Sequence, residues 1–221
     1  MATGPDLIEL FRVNPVDMTP PYRWEDDVVY SWLSEGQREA CIRANLIKDV
    51  STASICTVAV TAGTSSYAIS PLIVRVDTVL AAGTSGVAEK IDIYDRTEMD
   101  RVFPAWRITH DAPSGCIVEG NTLILNRLPI SDMTLSLEVV RLPLASINDA
   151  SPPEIPSVHH EELVNWALYR AHLIEDDDEE SPPGRWRKYL ATFEAYFGRK
   201  PNADLKRRTV TNTPHSNKCW W

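Results

Sequence analysis

The sequence contains few cysteines and no long apolar run. Cys41, Cys56, Cys116 and Cys219 are far apart and form no CxxC pair, a spacing that favours neither a zinc site nor a disulfide framework. No stretch of about 20 apolar residues is present, so we expect no membrane span. The N-terminal residues lack a basic segment followed by an apolar one, so we expect no secretory signal. These absences favour a protein with reduced thiols that is made inside a cell.

Positive charge is also scarce. The chain carries 22 Lys and Arg residues against 31 Asp and Glu residues, which gives a net charge of -9. A dedicated nucleic-acid-binding protein needs a basic surface that neutralises phosphates, and this composition does not favour one. An acidic surface that faces DNA repels it weakly. This suits a protein that lines a DNA channel better than a protein that grips DNA. With 221 residues, 43% of them hydrophobic, the chain can still bury a large core.

Motifs of catalytic and nucleotide-binding sites are missing as well. The sequence has no GxxxxGK[ST], GxGxxG or GxSxG motif. Its glycine-containing stretch at residues 82–86 lies between two predicted strands, whereas a phosphate-binding loop opens onto a helix. His110 with Asp111, and Asp92 with Asp95, are possible acid–base pairs, but no nucleophile or oxyanion site accompanies them. We therefore expect no enzyme activity and no cofactor.

Two polar clusters remain as candidate metal sites. His159 and His160 are adjacent, so on a helix their side chains point about 100° apart, and His172 lies roughly three turns away. A catalytic zinc site instead uses histidines at i and i+4 around a glutamate. The acidic run 175–180 could attract calcium, but it lacks the spacing of an EF-hand loop. We interpret both clusters as polar helix ends and expect no metal, with a metal-dependent hydrolase as the alternative.

Hydrophobic spacing predicts helices at both ends of the chain. Apolar residues recur three or four positions apart over residues 6–13, 24–47 and 157–174. A further helix, which Ser181 can cap, is predicted from a stripe that ends at Phe197. Gly36 lies inside the second helix, where glycine costs about 1 kcal/mol relative to alanine. This position therefore indicates close packing at Gly36.

The middle of the chain has the composition of β structure. Alternating and β-branched residues predict strands over 54–61, 67–69, 72–80, 87–94, 116–119, 122–126 and 133–141. Gly120 and Asn121 predict a two-residue hairpin turn. Residues 97–102 predict a single helical turn.

These patterns predict an α+β fold in four segments. We expect residues 1–50 and 151–200 to form a helical bundle, the latter as a helical hairpin. Residues 51–150 are predicted to form an inserted antiparallel β domain. Residues 201–221, here called the C-terminal arm, lose the hydrophobic periodicity and are predicted to be an extended tail.

The C-terminal arm is the segment most suggestive of an interaction. Trp24, Trp32, Trp166 and Trp186 fall on predicted helices and Trp106 falls in the β-rich middle of the chain, and we interpret all five as packing residues. The arm instead combines basic residues with two tryptophans and has no core of its own, a pattern typical of a segment that is disordered alone or docks on a partner. The predicted interface residues are Lys206, Arg207, Arg208, His215, Lys218, Trp220 and Trp221.

Three stretches resemble one known family. They are WLSEGQREACIRA at residues 32–44, YAISPLIVRV at 67–76 and PEIPSVHHEELVNWALYRA at 153–171, and a second helix with Phe193 and Phe197 follows. Their order and spacing resemble the head-to-tail adaptor, or connector, proteins of tailed phages, especially short-tailed ones. None of the three is a catalytic signature, and the arm has no motif that matches.

The resemblance implies a structural role in the virion. Members of that family form a homo-oligomeric ring, commonly a dodecamer, beneath the portal protein at the head–tail junction, or neck. They extend the channel through which genomic DNA passes and offer a surface to a tail or nozzle protein, and in several of them the C-terminal segment reaches the portal. The expected protein is therefore synthesised in the host cytoplasm, and its arm is loose in the monomer and ordered only on the portal. A tail-completion or tail-tube protein and a generic intracellular binding module remain alternatives.

Overall fold

The computed structural model describes residues 2–13, 19–82, 88–175 and 184–200. The described α-helices are α1 (Gly4–Val13), α2 (Asp26–Ala44), α3 (Ala53–Cys56), α4 (Arg96–Val102), α5 (Leu163–Glu175) and α6 (Arg185–Phe197), and Ser157–His159 is a 3₁₀ turn. The described strands are β1 (Lys48–Asp49), β2 (Thr57–Val60), β3 (Ser66–Ala68), β4 (Ile73–Ala82), β5 (Ala88–Ile93), β6 (Gly115–Glu119), β7 (Thr122–Leu125) and β8 (Met133–Arg141). This content confirms the predicted α+β class.

The chain divides into two compact units. The described residues within 1–49, 72–75 and 140–200 form one, here called the helical unit. Residues 50–71 and the described part of 76–139 form the other, here called the β unit. None of the helices in the described ranges is both long and apolar enough to cross a lipid bilayer.

Helix α2 packs on each of the other three long helices of the helical unit. Asp26 and Asp27 lie in its first turn, where negative charge complements the helix dipole. The helix ends at Asn45, whose left-handed backbone (φ 52°) directs its N–H to the carbonyl of Cys41. Helix α2 packs on α5 and α1, and α5 packs on α6. The shared core comes from these four helices and includes Leu7, Phe11, Leu33, Ala40, Leu163, Ala167, Ala171 and Phe193.

At Gly36, helix α2 lies close against α5. A Cβ atom added at Gly36 would lie 2.9 Å from the Cβ of Trp166, so the expectation of close packing is confirmed. The Trp166 ring lies 5.0 Å from that of Phe193 and 5.1 Å from that of Tyr169. Aromatic contacts at these distances stabilise the helix interfaces beyond simple burial.

The β unit contains a mixed sheet rather than the predicted antiparallel one. Its strands follow the order β8-β4-β5-β6-β7-β3, with β2 also paired to β8. Strands β5 and β6 are parallel, with Asp92 opposite Gly115 and Ile93 opposite Cys116. The antiparallel prediction is wrong at this pair because residues 94–114, which include α4, form a crossover that returns the chain in the same direction.

The sheet is curled rather than flat. Strands β2 and β3 follow each other in the chain, yet β2 pairs with β8 and β3 with β7, at opposite ends of the order. The Tyr67 hydroxyl donates to the carbonyls of Thr61 (3.0 Å) and Thr64 (2.5 Å), beside the turn between β2 and β3. Alternate residues of the strands form the buried face, among them Val58, Val79, Ile91, Cys116, Leu123, Leu125, Leu135 and Leu137.

Several predicted elements differ in detail from the structure. Residues 53–56 form a helical turn before β2, because the N–H groups of Ile55 and Cys56 both bond to the Thr52 carbonyl and both side chains turn inward. The helix predicted from residue 157 begins as a 3₁₀ turn, and α5 itself starts at Leu163. The turn at residues 83–86, the acidic residues 176–180 and the Ser181 cap lie outside the described residues.

Candidate interaction surfaces

The predicted interface residues lie beyond the part of the chain that the structure describes. Lys206, Arg207, Arg208, His215, Lys218, Trp220 and Trp221 all follow Lys200, which is the last described residue. What the structure does describe is the point from which the C-terminal arm departs. It also describes the surface of the helical unit beside that point.

The arm departs from a charged cluster, here called the arm root, formed by Glu39, Arg43, Glu194, Gly198 and Lys200. The Arg43 guanidinium donates to the Gly198 carbonyl at 3.2 Å and pairs with Glu194 at 3.4 Å and Glu39 at 3.3 Å. Only 4% of the Arg43 side chain is exposed. The Lys200 ammonium lies 2.6 Å from Glu39. The arm root therefore fixes residues 198–200 against α2.

Local sequence explains how the arm root forms. Gly198 adopts a positive φ of 88° and its N–H bonds to the Glu194 carbonyl, which ends α6 at the conformation that glycine favours. Arg43 occupies the last turn of α2, and its guanidinium lies within 5.5 Å of the Trp166 ring centre and 5.3 Å of the Phe193 ring centre. Such cation–π contacts favour a desolvated arginine in this place.

A groove of about 840 Å³ runs along α2 from the arm root. One wall is a stripe of α2 residues three or four positions apart, which places them on one face of the helix. This wall consists of Asp27, Tyr30, Ser31, Ser34, Glu35, Arg38, Glu39 and Ile42. The remaining lining comes from Arg170 of α5 and from Leu142, Ser146, Ile147 and Asn148 in the segment after β8. We call this feature the α2 groove.

The second wall of the α2 groove is tied to the first by hydrogen bonds. The Tyr30 hydroxyl donates to Asp149 at 2.5 Å, and the N–H of Ile147 donates to the Ser34 hydroxyl at 2.9 Å. Burial, together with the neighbouring Asp149 carboxylate, raises the pKa of Tyr30 well above its usual value. Arg170 pairs with Glu35 at 3.2 Å and holds α5 at the groove. The groove is therefore a defined feature of the helical unit.

A buried ion-pair network holds the proline-rich segment that precedes α5. The Arg141 guanidinium lies 2.5 Å from both Asp49 and Glu154, and Glu154 also accepts from the Leu144 N–H at 2.8 Å. Burial acts to raise the pKa of Glu154, but the hydrogen bonds from Arg141 and Leu144 outweigh it, so the pKa is lowered. The Gln37 side chain accepts from the N–H of Glu154 at 2.6 Å and joins α2 to the network.

The histidines considered for metal binding have structural partners. The buried His160 ring lies between the carbonyls of Ala2 (3.0 Å) and Ile155 (2.9 Å). His159 instead meets the Tyr196 hydroxyl at 3.1 Å, and His172 stacks on Tyr189 at 5.1 Å between ring centres. Within the described residues no group of three His, Cys, Asp or Glu side chains is placed to hold a metal ion.

The candidate acid–base pairs are likewise engaged in local contacts. Asp95 caps α4 by accepting from the N–H of Glu98 at 2.6 Å, and Asp111 pairs with Arg127 at 2.8 Å. Arg43 and Arg141, whose buried guanidinium groups organise ion pairs in the helical unit, were not predicted from the sequence. Arg43 also pairs with Glu39 four positions before it, but its other partners, Glu194 and Gly198, and the Asp49 partner of Arg141 are distant in sequence and gave no signal.

Comparison with known families matches almost the whole chain. A family model described as SU10 adaptor protein matches residues 3–216. The match spans every described helix and strand and continues into the C-terminal arm. A search of curated proteins found no match.

Proposed function

The chain belongs to the SU10 adaptor family of phage head-to-tail adaptors, and we propose that it assembles as a ring beneath the portal. The resemblance seen in the sequence is thereby confirmed, and the family's role in the virion is structural. Membership also implies a place at the virion neck, in association with portal and tail proteins. The proposal adds a dodecameric ring that docks on the portal, extends the DNA channel and provides the tail attachment surface.

The observation that carries the proposal is the arm root. Arg43 and Lys200 hold the base of the arm against α2, and the next 21 residues contain three consecutive basic residues and two tryptophans. A firmly held base limits the volume that the arm can sample, which raises the effective concentration of its contacts near the body. We propose that Lys206, Arg207, Arg208, His215, Lys218, Trp220 and Trp221 contact the portal or a neighbouring subunit.

Ring assembly explains how weak contacts by each arm can together hold the ring on the portal. A flexible segment loses conformational entropy when it docks, so the affinity of one arm is modest. A ring presents the same contact many times, and the combined affinity exceeds that of any single arm by orders of magnitude. The proposed architecture is a bundle of N- and C-terminal helices that carries a β insert and ends in the C-terminal arm.

The proposal is tested by changing the arm in the full chain. We expect K206E/R207E/R208E, or W220A/W221A, to abolish co-sedimentation with the purified portal of the same phage. The matched control is R185E/R187E/K188E, which reverses three exposed charges on α6 and should leave portal binding unchanged. Equal loss in the control, or full binding by the arm variants, would contradict the assignment of portal contact to the arm.

A further inference from the structure

We propose that residues 201–208 of the arm occupy the α2 groove of their own subunit while the protein is not bound to a portal. The consequence of this docking for assembly rests on the proposed function, whereas the docking itself rests on three observations in the helical unit. These are the continuity of the groove with the arm root, the length of the groove and the charges at its far end.

The first observation is continuity. Lys200 pairs with Glu39 at 2.6 Å, and Glu39 also lines the α2 groove. The arm therefore departs at one end of the groove rather than from a distant surface. Pro201 follows directly and biases Lys200 toward an extended backbone, which favours a chain that continues away from α6.

The second observation is length. The lining from Glu39 to Asp27 covers twelve helical residues, or about 18 Å along the α2 axis at about 1.5 Å per residue. An extended chain covers that distance in five or six residues at about 3.3 Å each. Starting from Lys200, this brings residues 205 and 206 beside Asp27. The following residues, Arg207 and Arg208, then lie past the first turn of α2.

The third observation is charge. Glu25, Asp26 and Asp27 lie at the start of α2 and are exposed, and Asp26 pairs with Arg12. Among the described residues, no ion pair engages Glu25 or Asp27. Lys206, Arg207 and Arg208 would reach them with three positive charges in a row. Exposed ion pairs of this kind are individually weak, so the docked arm can be displaced.

Docking of the arm in the subunit's own groove would weaken the binding of the subunit to the portal and so slow assembly. Only the fraction of molecules with a released arm can engage a portal, so the apparent portal affinity falls in proportion to that fraction. A portal surface that binds the arm more tightly than the groove releases it, and the ring then forms where the portal is present. The proposal thus replaces the expectation of a loose arm in the free subunit with that of a docked one.

Disulfide trapping in the full chain tests the docking directly. Ser31 lies in the groove eight helical residues from Glu39, about 12 Å, which three or four extended residues span. The test variant is therefore Ser31→Cys with Ala203→Cys, and Cys219→Ser removes the cysteine of the arm. Cys41, Cys56 and Cys116 are buried and can stay. The control pairs Ala203→Cys with Ala195→Cys, an exposed site on α6 outside the groove.

We expect the 31–203 disulfide to form within one chain, roughly tenfold faster than the 195–203 disulfide. Adding K206E/R207E/R208E should slow the 31–203 disulfide to the rate of the 195–203 disulfide. Adding E25K/D27K to that variant should restore the faster rate. Equal trapping in both pairs would overturn the proposal, and so would disulfide-linked dimers, which would place the arm on a second copy. Fast trapping by a protein that never binds the portal would support the docking and contradict the proposed function alone.

Discussion

Replacing Gly36 with alanine sets two known effects against each other. In a helix interior alanine is about 1 kcal/mol more favourable than glycine. At this position, however, the new Cβ would lie 2.9 Å from the Trp166 Cβ and 3.1 Å from its Cγ. Carbon atoms pack favourably at about 3.5–4.0 Å, so α2 and α5 must separate by roughly half an ångström or more.

The contact with Trp166 decides whether Gly36→Ala raises or lowers the free energy of unfolding. Overpacking a well-packed interface costs about 1–3 kcal/mol. The nearest atom is a Cβ, which is fixed to the α5 backbone and cannot move aside by changing rotamer, so the upper half of that range applies. After subtracting the helix gain, we expect Gly36→Ala to lower the free energy of unfolding by about 1–2 kcal/mol.

Urea denaturation followed by tryptophan fluorescence measures this change. With a slope of about 2 kcal/mol per molar urea, the midpoint should fall by roughly 0.5–1 M. The control is the pair Ser31→Ala and Ser31→Gly, at an exposed site of the same helix. There the alanine variant should be the more stable by up to about 1 kcal/mol. If Gly36→Ala raised the midpoint as well, the close approach of α2 and α5 would be refuted.

Other predictions concern the buried charges and thiols. Arg141→Met should lower the free energy of unfolding by about 3–5 kcal/mol, because Asp49 and Glu154 lose their buried partner. Urea titrations at neutral pH measure this change, and a loss below about 1 kcal/mol would contradict the ion-pair network. Because the pKa of Glu154 is lowered in the folded state, its stabilisation is present above its unfolded pKa of about 4.3 and is lost as pH falls through the folded value. Glu154→Gln should therefore flatten the fall in stability below pH 4.3 in acid titrations, whereas an unchanged slope would exclude this role. Burial raises the pKa of Cys41 and of Cys116 to about 12, so neither thiol should react with a thiol reagent in peptide maps of native protein, and both should react in urea.

Elements governed by local sequence could be predicted closely. Strand β8 has the predicted bounds of 133–141, because its alternation is uninterrupted. The hairpin at Gly120 and Asn121 is confirmed, with Glu119 opposite Thr122 and a positive φ at Gly120. The core role of Trp32 and Trp166 could also be predicted, since both lie on predicted amphipathic helices, and the structure places both in the core.

Features set by distant partners could not be predicted. The parallel pairing of β5 with β6 depends on the whole crossover of residues 94–114 and not on either strand's own pattern. The arm root joins Arg43 to Gly198, which are 155 positions apart, and nothing in a single sequence links them. The α2 groove was missed for the same reason. Its α2 wall is a polar stripe that would equally suit a solvated helix face, and the opposite wall comes from residues 142–148.

The central claim, a ring adaptor on the portal, is tested most directly by mixing the purified full-length protein with the purified portal of its phage. Electron microscopy of the product should show a ring with the symmetry of the portal, stacked on its narrow end. Two-dimensional class averages along the axis would give the copy number, which we expect to be twelve. A protein that stays monomeric and unbound beside intact portals would contradict the account.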